Sequence, residues 1–312
     1  MEVILTEFYL ISGFLGSGKT TFLKQLISFF KDKKVALVIN EFGKQGIDGL
    51  LLAELSHSMR EVNNGSIFCA CRLEQFVTTL QELTLNVPEI IIVEASGLSD
   101  PTIIKKVVKE RDVFSEINYR GNICIIDSKT FPKVIKTALV CKKQLLCADI
   151  VLLNKTDLVN GKEKSEVISL IRSEKPNVTL FETSYGIIPA DMEKVINVLN
   201  IDTESVSVNI IKDITLQKYL LKLTDNIDID TLKNFLNSFI NETYRIKGFV
   251  KIKNALNYVD SVQNSLKIEP FDGIVNDEAV QNIVILSGNG MKTAEAIKAA
   301  CYKYPYIVLS IE

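Results

Sequence analysis

The sequence predicts an α/β fold: a mostly parallel sheet with helices on both faces, followed by a smaller C-terminal α+β domain. Three observations lead there. Six strand-like runs fall near 5–12, 35–40, 89–95, 120–127, 148–154 and 177–183, alternating with helical or loop segments, which is the order of a parallel sheet. The 312 residues leave room for two domains, and 47% hydrophobic content can fill both cores. A polar, turn-rich stretch at 199–205 (LNIDTES) divides the chain into 1–200 and 205–312.

The first run leads into Gly13-Phe14-Leu15-Gly16-Ser17-Gly18-Lys19-Thr20, a full G-x-x-x-x-G-K-[ST] match. Phe22, Leu23, Leu26, Ile27 and Phe30 then repeat at helical spacing. Strand, glycine-rich loop and helix make a phosphate cradle, because backbone N–H groups turn inward and the helix N-terminus adds positive potential. The fold class is therefore P-loop NTPase-like. Gly13, Gly16, Ser17, Gly18, Lys19, Thr20 and Thr21 are expected to hold a triphosphate, with Lys19 on the β- and γ-phosphates and Thr20 on Mg²⁺.

The second strand runs into Asn40-Glu41-Phe42-Gly43 and a polar loop that reaches Asp48. Gly43, Gly46 and Gly49 give that loop the freedom to close on Mg²⁺ and the γ-phosphate. Residues 51–60, with the chain's one histidine at His57, read as a polar helix face. The third strand ends in Glu94-Ala95-Ser96-Gly97. Glu94 is expected to act on Mg²⁺ through a water, and Gly97 to donate its N–H to the γ-phosphate.

The strand at 148–153 ends in Asn154-Lys155-Thr156-Asp157. Asp157 can accept two hydrogen bonds from guanine N1–H and its exocyclic amine, a donor pair that adenine lacks, so the expected nucleotide is GTP. Asn154 supports the loop and the N7 side, and the Lys155 stem packs on the base. Thr183-Ser184-Tyr185-Gly186 is expected to close the far side of the pocket, with Ser184 as its contact.

Beyond the boundary, 206–211 reads as a strand, 216–223 and 231–241 as helices, and 245–252, 256–263 and 282–287 as strands. A helix at 291–302 and a strand at 306–311 finish the second domain. Cys124, Cys147 and Cys301 read as core packing, and Cys141, in a Lys-rich helix end, as an exposed thiol.

Net charge is −2, from 36 basic and 38 acidic residues, which argues against nucleic acid or an anionic membrane as partner. No apolar stretch approaches the ~18 residues of a spanning helix, and Met1-Glu2 is not the basic start of a signal peptide. Six cysteines without a spaced framework suit a reducing compartment, so a cytoplasmic location is expected.

Taken together, GFLGSGKTT (13–21), NEFGKQGIDG (40–49), EVNNGSIFCACR (61–72), EASGLSDP (94–101), NKTDL (154–158) and RIKGF (245–249) resemble the CobW-type P-loop GTPases, relatives of the urease and hydrogenase maturation GTPases. The resemblance covers nearly the whole chain. It implies GTP hydrolysis coupled to delivery of a transition metal, Zn²⁺ or Co²⁺, to an unidentified client metalloprotein, and it allows a homodimer. It also implies that Glu41 is a switch acid, either near Mg²⁺ or shared with the metal site, with Asp48 as a second candidate. Lys19, Thr20, Glu41 and Glu94 form the catalytic set. Neither switch offers a Gln to orient water, so slow intrinsic hydrolysis is expected.

One departure bears on the cargo. The family's metal motif is G-C-x-C-C, and here it reads Gly65-Ser66-Ile67-Phe68-Cys69. Cys69 is carried over, and Cys71 follows two residues later. Thiolates select soft cations, so Cys69 and Cys71 are candidate ligands with Glu41, water or the client supplying the rest. The other reading makes Cys71 a core residue and the chain a GTPase that remodels a metallo- or corrinoid-cofactor protein without carrying metal.

Overall fold

The computed structural model describes residues 5–39, 58–61, 70–109, 114, 116–198, 216–225, 227–253, 255–262, 265–273, 275, 279–288 and 291–312, and only the backbone of 58–61, 70–75, 216 and 262. The chain divides into two compact units, Met1–Ile135 with Val140–Ile211, and Lys136–Leu139 with Lys212–Glu312. The 199–205 boundary and the 206–211 strand expected from the sequence lie outside the described residues.

The first unit is built on β1 (Thr6–Ser12), β2 (Val35–Ile39), β3 (Ser58–Glu61), β4 (Ile90–Glu94), β5 (Ile117–Asp127), β6 (Ile150–Asn154) and β7 (Thr179–Glu182). They form one sheet in the order β3-β2-β4-β1-β5-β6-β7, and every described pairing is parallel. Helices α1 (Lys19–Phe29), α2 (Ala70–Thr84), α3 (Thr102–Lys109), α4 (Phe131–Thr137), α5 (Leu139–Cys147), α6 (Gly161–Glu174) and α7 (Ala190–Val198) accompany it.

The central strands are apolar at every position because both faces are covered. Tyr9 and Ile11 of β1 join Phe22, Leu23 and Leu26 of α1 and Met192 and Ile196 of α7 in one core. Phe8 and Leu10, one residue out of phase, join Phe76 and Leu80 of α2 and Ile104 and Val108 of α3 in another. From β1 the chain crosses to β2 on one side, and from β4 it crosses β1 to β5 on the other. The reversal sets the ligand crevice at the carboxyl ends of the central strands.

The second unit is a six-stranded sheet in the order β11-β10-β9-β12-β8-β13. Its strands are β8 (Leu216–Leu223), β9 (Arg245–Ile252), β10 (Ala255–Val262), β11 (Ser265–Pro270), β12 (Asn282–Gly288) and β13 (Val308–Ile311), antiparallel to their neighbours. Leu221, Ile246, Val259, Ile283 and Ile285 pack with Leu232, Phe235 and Leu236 of α8 (Ile229–Asn237) and Ile297 and Ala300 of α9 (Thr293–Lys303). In RIKGF, Arg245 Nε donates to Asp260 Oδ1 across the β9–β10 pair at 3.1 Å. Lys247 lies over the Tyr258 ring.

Three sequence expectations change. Residues 216–223 form strand β8, not a helix. Leu216, Tyr219, Leu220 and Leu223 fit a helical period, but Tyr219, Leu221 and Leu223 also fit a period of two, and pairing with β12 and β13 decides for the strand. Residues 58–60 open β3 beside β2 rather than ending a helix. Cys141 is buried, not exposed: Val140, Cys141, Gln144 and Leu145 make the inner face of α5. Cys124 and Cys147 are buried as expected, and Cys301 is half-buried against the second core.

Candidate functional site

The glycine-rich loop leaves β1 at Ser12 and enters α1 at Lys19. Gly13, Gly16 and Gly18 all take positive φ, at 138°, 73° and 100°. Lys19 is 8% exposed, and its Nζ donates to the Gly13 carbonyl at 3.0 Å and the Phe14 carbonyl at 3.2 Å. The ammonium therefore already lies within the loop's own curve, where a phosphate oxygen would exchange for a carbonyl. Ser17 is buried, and Thr21 is exposed on the first turn of α1.

Beside it, Thr20 Oγ1 donates to Glu94 Oε1 at 3.3 Å. Glu94, 3% exposed, stands at the carboxyl end of β4, which pairs with β1. A hydroxyl and a carboxylate side by side form a hard oxygen donor set, the chemistry that Mg²⁺ takes. The loop after Glu94 lies against the phosphate loop: a Cβ built on Gly97 would meet the Leu15 nitrogen at 2.8 Å and Leu15 Cδ2 at 2.7 Å. Only glycine allows that approach.

Gln144, which sequence reasoning missed, holds this loop from the other side. It is 1% exposed on α5, and its Nε2 donates to the carbonyls of Gly97 and Ser99, both at 3.1 Å. Its neighbour Lys143 pairs with Asp100 at 2.8 Å. The signal was a glutamine on the apolar face of a helix, which needs backbone partners if it is to be buried.

The loop after β6 is fastened to both sides. Asn154, 2% exposed, donates from Nδ2 to the Ser17 carbonyl at 2.9 Å and accepts from Gly186 N at 3.1 Å. One side chain thus links the phosphate loop, the Asn154–Asp157 loop and the Thr183–Gly186 loop. Ser184 Oγ accepts from Asp157 N at 3.2 Å and lies 3.1 Å from Thr156 Oγ1, so it braces the loop from behind. Asp157 itself is exposed. Lys155, in the left-handed region at φ 60°, pairs with Asp127 at 2.7 Å.

The structure thus brings together Lys19, Thr20, Glu94, Gly97, Asn154, Lys155, Asp157 and Ser184 at the carboxyl ends of the strands. Glu41, Asp48, His57 and Cys69 lie outside the described residues, and of Cys71 only its backbone position in α2 is described. Among the described residues, no group of three or more His, Cys, Asp or Glu is placed to hold a metal ion. Burial pushes the Cys124 and Cys147 thiols up to about 12 and raises that of Cys141, so these three are protonated packing groups rather than thiolate ligands.

Residues 7–182 match the CobW/HypB/UreG nucleotide-binding domain family. The chain belongs to that family. The zinc chaperone CobW of a Sinorhizobium species is 31% identical over 213 residues, which cover 58% of this chain and 59% of the relative. The zinc chaperone YeiR of Escherichia coli K12 is 34% identical over 156 residues, 49% of this chain and 47% of the relative. The matches thus span about half the length of these relatives. Among solved structures, the zinc-bound YjiA GTPase of E. coli aligns over 96% of this chain and 98% of its own at 18% identity. The TM-score of that alignment is 0.45. Among the described residues, no helix is long and apolar enough to cross a membrane.

Proposed function

We propose that this chain is a GTPase that couples its nucleotide cycle to the handling of a transition metal, zinc or cobalt, for a client metalloprotein. The nucleotide domain spans 1–200 and the second domain 205–312, in a protein that works in the cytoplasm. The observation that carries the reading is Asn154, which ties a base-reading loop to the phosphate loop through Ser17 and so sets both halves of a GTP site at one distance.

In this reading Asp157 accepts the two guanine donors, and Lys19 leaves the Gly13 and Phe14 carbonyls for the β- and γ-phosphates. The Thr20 hydroxyl, with Glu94 nearby, would hold Mg²⁺, which would supply positive charge against that developing on the phosphates. Gly97, already against Leu15, reports the γ-phosphate to the loop that Gln144 and Lys143 hold. Glu41 completes the switch.

The names of the relatives, zinc chaperones, support zinc as cargo, with Cys69 and Cys71 as ligands. The replacement of two motif thiols by Ser66 and Phe68 favours a second reading, a GTPase that remodels its client without carrying metal. The test is Zn²⁺ and Co²⁺ affinity in Mg²⁺ plus a non-hydrolysable GTP analogue against Mg²⁺ plus GDP, for wild type and Cys69→Ser. Tight binding that requires the triphosphate state and Cys69 upholds the metal carrier; binding indifferent to both moves the assignment to the second reading. Phosphate release from GTP but not ATP, lost in Lys19→Ala, tests the GTPase itself. Asp157→Asn should shift preference toward xanthosine triphosphate.

A further inference from the structure

The carboxyl ends of β5 and β6 lie in register, with Asp127 opposite Asn154. Beyond that pair the two strands are bonded twice more. Ser128 N donates to the Asn154 carbonyl at 3.0 Å, and Ser128 Oγ donates to the Lys155 carbonyl at 2.7 Å. The second bond falls on a residue whose backbone is left-handed, a conformation a lysine seldom adopts without support.

The side chains repeat the pattern. Asp127 Oδ1 accepts from Lys129 N at 2.9 Å and Thr130 N at 3.2 Å, leading into α4. Those bonds fix the plane of a carboxylate that is almost wholly buried, with a side chain 4% exposed. Oδ2 then receives Lys155 Nζ at 2.7 Å. The lysine's backbone is held by Ser128 and its ammonium by Asp127, so the four-carbon stem is fixed at both ends two residues before Asp157.

We propose that Asp127 is a positioning residue for base recognition: it holds the Lys155 stem in place as an apolar strip on which guanine lies. This rests on the guanine-reading role given above to the Asn154–Asp157 loop. The buried Asp127 carboxylate needs a cationic partner, so the pair also serves the fold. A pair that removes the stem's rotational freedom before a ligand arrives contributes to binding, because the ordering cost has already been met.

The test uses the full chain and fluorescent GDP and GTP. Asp127→Asn keeps an oxygen for the Lys129 and Thr130 N–H groups and removes the charge. Lys155→Met keeps an apolar stem and removes the anchor. Each should weaken GDP and GTP alike by about tenfold, and the double variant should be no weaker than either single one. Displacement by inorganic tripolyphosphate, which engages the phosphate loop without a base, should stay at the wild-type value. Wild-type affinity in Asp127→Asn, additive losses in the double variant, or an equal loss of tripolyphosphate binding would each overturn the proposal. Asp157→Asn separates the two levels. A shift in base preference there, with Asp127→Asn silent, removes the positioning role alone; no shift removes the guanine reading beneath it.

Discussion

Asn154→Ala is the substitution that asks most of this structure. It deletes the Nδ2 bond to the Ser17 carbonyl and the Oδ1 bond from Gly186 N, at 2.9 and 3.1 Å. The side chain is 2% exposed, so water does not readily replace either partner. Each bond is worth about 1 kcal/mol net, and a buried group left without its partner costs about 1–3 kcal/mol. Together these place the loss at about 2–4 kcal/mol. For a domain of this size each kcal/mol lowers the melting temperature by about 2–4 °C, so a drop of about 4–16 °C is expected in the first unit. GTP affinity should fall with it, since the two halves of the site are no longer fixed to each other. Asn154→Asp is the sharper control. It keeps an acceptor for Gly186 but turns a second acceptor on the Ser17 carbonyl, and should be at least as damaging. Thermal melting and nucleotide titration of both variants decide the matter. An alanine variant that melts within about 1 °C of wild type and binds GTP normally would refute the idea that Asn154 joins the loops.

Three further outcomes are expected. Gly97→Ala puts a methyl group 2.8 Å from the Leu15 nitrogen, so it should weaken GTP more than GDP in paired titrations; equal losses would remove Gly97 from γ-phosphate sensing. The Cys124 and Cys147 thiols sit near 12 in the fold against an ordinary 9.0, so the unfolded chain releases those protons first. Stability should hold up to about pH 9 and decline as pH rises toward 12, and Cys124→Ala should flatten that decline in alkaline urea melts. A thiol reagent at pH 8 should leave Cys124, Cys141 and Cys147 unlabelled in the native protein and reach all three in urea; rapid labelling of Cys141 would refute its inward placement.

Much of the nucleotide site was legible because its chemistry constrains residue types locally. Backbone N–H groups can crowd a phosphate only where glycines permit it, so Gly13, Gly16 and Gly18 declare themselves. The central strands of the first sheet were legible because burial on both faces makes them continuous apolar runs, as in Ile90–Glu94, whereas β3, with the sequence SMRE, carries no such run and was read as helix. What could not be read was juxtaposition. Gln144 and Asp127 act through carbonyls and an ammonium brought close by the sheet order alone, and neither lies in a spaced pattern. Strand β8 failed for a related reason: LQKYLLKL satisfies two periods, and its partners β12 and β13 lie about 60 and 90 residues further on. Cys141 was misread because flanking lysines set the composition of its helix while the three- and four-residue spacing set its face.

The strand order also has a consequence for the birth of the molecule. β1 precedes every other described strand of its sheet, yet it sits at the centre, with Glu7 beside Ile90 and Thr6 beside Ile117. At ~5–20 residues per second on the ribosome, this apolar segment waits about ten seconds for either flank to exist. The β9–β10–β11 meander joins strands adjacent in sequence and can close almost as soon as it emerges. The half of the chain that carries the nucleotide loop is therefore the half most exposed to chaperones and to misassociation while it is made.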